Sequence, residues 1–201
     1  MGYTTKATVA GFNFVSPTFK NVSGAAISCQ DITLSGENAI EYVDTLQILD
    51  EGGATTETYF WTVDNGWQDE DGNKCTKALN PGDGVLISTL QDAVTVTFAG
   101  AVGEEDIKLI SVAGFNFVGN ATPVEIEAQD LTLSGDNAIE YVDTLQVLDE
   151  GGATIETYFW TVDNGWQDED GNKCTKALGA GEGVLISTLQ DGVEINIPSA
   201  L

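Results

Sequence analysis

The sequence predicts an all-β protein built by tandem duplication of a β-sandwich or small β-barrel domain with short antiparallel strands. Three observations predict it. The segment Asp31–Val94 recurs at Asp130–Val193 with 56 of about 64 positions identical and a register difference of about 99 residues, Cys75 against Cys174. A repeat of about 100 residues is domain-sized and too long for a solenoid unit. Apolar and polar residues alternate with period two through stretches rich in β-branched and aromatic side chains, which is the pattern of half-buried strands. Glycine- and aspartate-rich turns separate those stretches every 8–12 residues or so, the spacing of sandwiches and small barrels.

In order along the chain, GFNFV opens each copy, at Gly11 and again at Gly114, a difference of about 103 residues. The stretch between this opening and the long repeat, Ser16–Gln30 against Gly119–Gln129, is therefore about four residues shorter in the second copy and reads as a loop. Gly36–Leu49 carries two patterns. Ile40, Val43, Leu46 and Leu49 fit a helical stripe with Ser35 as cap, but Val43–Leu49 also reads as a strand feeding the DEGG turn at Asp50–Gly53. The strand is favoured, preceded by a helical turn. In Thr56–Val63, Glu57, Tyr59, Trp61 and Val63 share one face, and Thr56, Thr58, Phe60 and Thr62 the other. Turns follow at Asp64–Gly66 (DNG), Asp69–Asn73 (DEDGN), Asn80–Gly84 (NPGDG) and Leu90–Ala93 (LQDA), where glycine supplies the positive φ of tight hairpins. Val94, Val96 and Phe98 alternate with threonines, as Val193, Ile195 and Ile197 alternate with Glu194 and Asn196. The small-residue, acidic stretch Gly100–Glu105 marks the boundary, giving domains 1–103 and 104–201, closely packed because no low-complexity linker joins them.

Composition narrows the partners. A hydrophobic content of 42% is that of a globular chain, yet 32 acidic against 7 basic residues give a net charge of −25. Such a field repels nucleic acid and anionic membranes, and favours solubility and cation condensation. No apolar run is long enough to span a bilayer, so membrane insertion is not expected. The opening residues lack a charged segment followed by an apolar core, so the expectation is a leader already removed or a protein released without one. Cys29, Cys75 and Cys174 are an odd set. With Cys75 and Cys174 equivalent and Cys29 outside the long repeat, buried free thiols are expected, a bridge between copies or chains being the alternative.

Catalysis has little to stand on. With no histidine the Ser/His/Asp and Cys/His constellations are unavailable, no glycine loop of the phosphate-cradling type occurs, and the carboxylates cluster in turn tips. The expectation is a protein that is not an enzyme. Two kinds of site remain. Asp69, Asp71 and Asn73, with Asp168, Asp170 and Asn172, alternate as oxygen ligands do in calcium loops. The glycine stands fourth, not sixth, and no glutamate follows at the twelfth position, so these are not EF-hands. They read as plain hairpin tips or as weak Ca2+ or Mg2+ sites, and no other cofactor is expected. The aromatics offer contact surface. Trp61 reads as core, whereas Trp67, just after Asn65 and Gly66 in a turn, reads as more exposed. Phe60, Trp67, Phe159 and Trp166 are the candidates for interface or ligand contact, since sugars stack on aromatic faces.

The order GFNFV, YFWTVDNGWQ, LNPGDGVLIS and VTVTFAG resembles a repeat of uncharacterised bacterial surface and phage-associated proteins, in which a GxNxV opening, a Trp-containing strand, a PGEG turn and a closing strand recur. The resemblance covers Gly11–Val102 and Gly114–Ile197; the second copy departs by reading GAGEG at Gly179–Gly183. It implies a β-rich, non-catalytic surface module and no residue-level site.

Together these readings point to a structural assembly protein, a virion component or an extracellular surface or filament subunit. It would partner itself, as homo-oligomer or polymer, or other virion or surface proteins. A surface pairing copy one with copy two would also pair copy two with the next chain, head to tail, closing rings or extending filaments. The alternative is a tandem carbohydrate-binding module gaining by avidity, provided Tyr59, Trp61 and Trp67 form an exposed planar platform.

Overall fold

The computed structural model describes residues 2–21 and 23–199. The first copy supplies β1 (Gly2–Ala7), β2 (Gly11–Val15), β3 (Ile27–Ser28), β4 (Ile32–Ser35), β5 (Thr45–Leu49), β6 (Thr55–Thr62), β7 (Gly66–Gln68), β8 (Ala78–Leu79), β9 (Val85–Thr89) and β10 (Thr95–Gly100). The second supplies β11 (Ile107–Ile110), β12 (Gly114–Gly119), β13 (Ile126–Glu127), β14 (Thr132–Ser134), β15 (Thr144–Leu148), β16 (Thr154–Thr161), β17 (Gly165–Gln167), β18 (Ala177–Leu178), β19 (Gly183–Thr188) and β20 (Glu194–Ile197). The only helices among the described residues are two single 3-10 turns, Cys29–Asp31 and Ala128–Asp130.

Each copy folds the same way. Five antiparallel strands in the order β2-β9-β5-β6-β7 face three in the order β1-β10-β4, and β3-β8 forms a short ribbon at the side. The second copy repeats this as β12-β19-β15-β16-β17, β11-β20-β14 and β13-β18. The four larger sheets form a ring resembling a four-bladed propeller.

Alternation decides what lies between the sheets. Leu46, Trp61, Val85 and Ile87 from the larger sheet meet Ile32, Leu34, Val96 and Phe98 from the smaller in one buried cluster, and the second copy builds a separate cluster from the equivalent positions. Burying such side chains stabilises by about 1.5–3 kcal/mol each. The five-stranded sheet turns Phe12, Phe14, Thr45, Gln47, Thr58 and Phe60 outward. They stand in cross-strand rows, Phe14–Leu86–Gln47–Thr58 and Phe12–Ser88–Thr45–Phe60–Gln68.

In Gly36–Leu49 the strand reading holds from Thr45 onward. Before it, Asp44 is fully buried and accepts from the amides of Ile40 (2.8 Å) and Leu90 (3.1 Å), so the chain closes a turn and the helical stripe is not used. The buried carboxylate satisfies two amides that would otherwise be orphaned.

Two expectations are corrected. Cys29 and Cys75 are joined by a disulfide within copy one, 46 residues apart, and only Cys174 is free and buried. The reason is positional: the strand pair β3-β8 carries Cys29 to Cys75, whereas Ala128 occupies the same place in copy two. Trp67 and Trp166, expected near the surface, are fully buried. The Asp64–Gly66 turn folds a third hairpin strand back along β6, which drops Trp67 between the sheets. There Trp67 Nε1–H donates to the Ile32 carbonyl at 2.7 Å, and its ring meets Trp61 edge-on at 5.2 Å. Trp166 does the same with Leu131 (2.5 Å) and Trp160 (5.2 Å). A core indole thus bolts the five-stranded sheet to the edge of the three-stranded one.

The unmatched loops close differently. Copy one buries Phe19, whereas copy two buries Asn120, whose Nδ2 donates to the carbonyls of Val124 (2.6 Å) and Leu178 (2.9 Å).

Candidate functional site

The two copies are clasped by a reciprocal interface. The β5–β6 hairpin tip of copy one reaches β12, where the Phe115 amide donates to the Glu51 carbonyl at 2.7 Å. The β15–β16 tip returns the contact, Phe12 donating to Glu150 at 2.7 Å. Ser16 donates to Gly181 (2.9 Å) and Gly119 to Gly82 (3.2 Å), another equivalent pair. Phe14 and Phe117 stack across the centre, 5.4 Å apart and 6° from parallel. The motif glycines serve this contact. Gly11 has φ +106°, and a Cβ there would lie 2.5 Å from the Glu150 carbonyl oxygen; Gly114 stands likewise against Glu51 at 2.5 Å. Gly84, in the NPGDG turn, would set a Cβ 2.6 Å from the Phe117 carbonyl. Asn13 braces the opening, its Oδ1 accepting from the Val9 amide (3.0 Å) and its Nδ2 donating to the Val9 carbonyl (2.9 Å).

Such pairing is isologous: patch i meets patch j, and j meets i. Both patches are consumed within the chain, so these surfaces are not free to pair copy two with a next chain. One ion pair breaks the symmetry, Lys6 of copy one with Glu182 of copy two at 4.0 Å. Burial holds the Lys6 ammonium below its usual pKa, opposed by Glu182.

On the pseudo-two-fold axis the outward faces leave a cleft of about 390 Å³. Phe12, Phe14, Gln47, Leu49, Thr55 and Leu86 line it with the same six residues of the other copy, and no charged side chain enters. Thr55 Oγ1 donates to Gln47 Oε1 at 2.9 Å, and Thr154 to Gln146 at 2.9 Å, so its polar groups are already paired.

The aspartate tips are organised around their first residue. Asp69 Oδ1 accepts from the amides of Asp71 (3.0 Å) and Asn73 (2.8 Å), and Oδ2 from Asn73 Nδ2 (2.9 Å). Asp168 repeats this with Asp170 (3.0 Å) and Asn172 (2.8 Å). The Asn73 and Asn172 amides hold both carboxyls below the usual aspartate pKa. The alternating Asp/Asn pattern thus builds a side-chain-to-backbone turn. Among the described residues no group of three or more His, Cys, Asp or Glu is gathered as a metal would need.

Of the contact candidates, Phe60 and Phe159 lie half-buried on the outward faces, whereas Trp67 and Trp166 belong to the core. Thr62 is buried, its Oγ1 donating to the Gly66 carbonyl at 2.9 Å, so the threonine–phenylalanine face ends at Phe60. Tyr59, Trp61 and Trp67 form no exposed platform. Trp61 and Trp67 are buried, and Tyr59 packs against the core with its hydroxyl donating to Glu57, which raises the phenol pKa to about 12. Burial likewise pushes the Cys174 thiol up, which makes it a poor nucleophile.

No protein family, curated protein or solved structure matches this chain.

Proposed function

We propose that this chain is a non-enzymatic structural assembly protein, a subunit of a virion or of an extracellular surface layer or filament. The observation that carries this reading is the reciprocal clasp: two nearly identical domains are fused and locked about a pseudo-two-fold axis, so every other surface feature is presented twice in fixed relation. Doubling serves a binding or packing surface far better than a catalytic centre. The resemblance to β-rich surface repeats points the same way. So does the Cys29–Cys75 bridge, a linkage that persists in oxidising, extracellular-type surroundings. The net charge of −25 opposes association at long range, so salt, or Ca2+ and Mg2+ at the Asp69–Asn73 and Asp168–Asn172 tips, should promote it.

A carbohydrate-binding module is the second reading, and the uncharged, aromatic-lined cleft on the axis is the observation in its favour. The test is light scattering of the full chain at low salt, at about 0.15 M salt and with added calcium. Growth of the particle mass with screening supports assembly. A monomer under all three conditions that is retained by a polysaccharide gel overturns it in favour of the sugar module.

A further inference from the structure

Sixteen large apolar side chains are exposed among the described residues, and ten of them form five equivalent pairs on hydrogen-bonded loops of the two copies. In copy one they are Val9, Tyr42, Val43, Val63 and Leu90, exposed by 46–72%. Hydrogen bonds tie their segments into one surface. Tyr42 donates to the Trp61 carbonyl (2.9 Å), Val63 to Glu41 Oε1 (2.7 Å), Leu90 to Asp44 Oδ1 (3.1 Å), and Thr89 Oγ1 to the Val9 carbonyl (3.0 Å). Copy two repeats the surface around Tyr141 and Leu189. At each centre a tyrosine sits in the left-handed region, φ 60° for Tyr42 and 61° for Tyr141, with its side chain about 70% exposed. A bulky residue takes that conformation only where its surroundings impose it, and such strain gathers at functional positions.

We propose that each patch seats the same patch of a second copy of this chain, so that one chain has two self-association surfaces and polymerises end to end. The inference rests on the assembly reading and names its contact. Two observations select a second copy as the occupant. First, the patch has a hole beside its knob: next to the protruding Tyr42 lies a cleft of about 380 Å³ walled by Phe60, Gln68, Asp69 and Gly72. A two-fold contact sets each tyrosine over the other chain's cleft. Second, at those exposures the five side chains present on the order of 500 Å² of surface. Two patches together would bury on the order of 1,000 Å², the threshold of specific association. The rim is acidic, with Glu41, Asp64 and Asp92 beside the apolar centre, so a contact between two copies is opposed at low salt. A contact between two such rims strengthens as salt screens it, whereas a basic partner's would weaken.

Sedimentation velocity of the full chain at low and at about 0.5 M salt tests this. Wild type should form species beyond the dimer at the higher salt. Y42G/L90S, which removes one patch and places glycine where φ is positive, should stop at the dimer. Adding Y141G/L189S should leave a monomer at every salt. The pair L90S/L189S, which leaves both tyrosine turns intact, should shorten the polymers and serves if the glycine variants fail to fold. Folded variants that polymerise as far as wild type overturn the patch contact while leaving assembly standing. A wild type that stays monomeric overturns both.

Discussion

Copy two lacks the disulfide of copy one for want of a single sulfur, and A128C should install it. Ala128 is fully buried at the start of the second 3-10 turn, as Cys29 is at the start of the first. Its amide donates to the Lys176 carbonyl at 2.8 Å, as that of Cys29 does to Lys77 at 3.0 Å. The Cys174 amide donates to Trp166 at 2.9 Å, as that of Cys75 does to Trp67 at 2.9 Å. The backbone frame is thus the one that in copy one spans 6.1 Å between Cα atoms, across 46 residues. Closing a loop of that length removes about 4 kcal/mol of chain entropy from the unfolded state, a ceiling that engineered bridges seldom reach. For a domain of this size that ceiling corresponds to roughly 15–30 °C in melting temperature. The assay is thiol titration under denaturing conditions, followed by calorimetry with and without reductant. Wild type should show one free thiol and oxidised A128C none, with the copy-two transition raised and the gain lost on reduction. Two free thiols after oxidation, or equal melting with and without reductant, would refute the equivalence of the two frames.

The other predictions concern the core, the clasp and the tips. W61A and W160A should each lose about 3–5 kcal/mol by denaturant unfolding, because a buried indole is removed; a wild-type melt would remove Trp61 from the core. W67F should cost about 1–3 kcal/mol by the same measurement, since it leaves the buried Ile32 carbonyl without its donor. G11A should cost roughly 1–3 kcal/mol and speed hydrogen exchange at the Phe12 amide, because alanine resists the positive φ and meets the Glu150 carbonyl; unchanged exchange would contradict the close approach. For Asp69 and Asp168 the folded pKa lies below the unfolded one, so the stability they contribute is present above about pH 4 and lost as pH falls through the folded value. NMR titration should show both below ordinary aspartates, and D69N should flatten the acid limb of the stability profile.

Much of the fold was legible because period-two alternation and turn glycines are local signals. The strands around Thr56–Val63 and Val94–Phe98, and the turns at Asp50–Gly53 and Asn80–Gly84, needed only neighbouring residues to be read. What was not legible is non-local. Trp67 follows a turn dipeptide, and only the return of β7 along β6 buries it; the flanking Gly66 and Gln68 are too few to show alternation. The Cys29–Cys75 bridge depends on the β3–β8 pairing, two residues long on each side, which no periodicity reveals, although aligning Cys29-Gln30-Asp31 with Ala128-Gln129-Asp130 marks which half can lack it. Gly84 reads as a turn residue and Gly11 and Gly114 as the opening of each copy, yet their close contacts answer to the opposite copy. The exposed apolar patch was the least legible, since Val9, Tyr42, Val63 and Leu90 come from four loops tied by non-local hydrogen bonds, those of Glu41, Asp44 and Thr89 among them.

The measurement that bears most directly on the central claim is negative-stain microscopy of the purified full chain over a range of salt and calcium concentrations. Extended or ring-shaped particles of uniform width that lengthen as charge is screened are the expected result. A field of separate single-chain particles under every condition would contradict that claim.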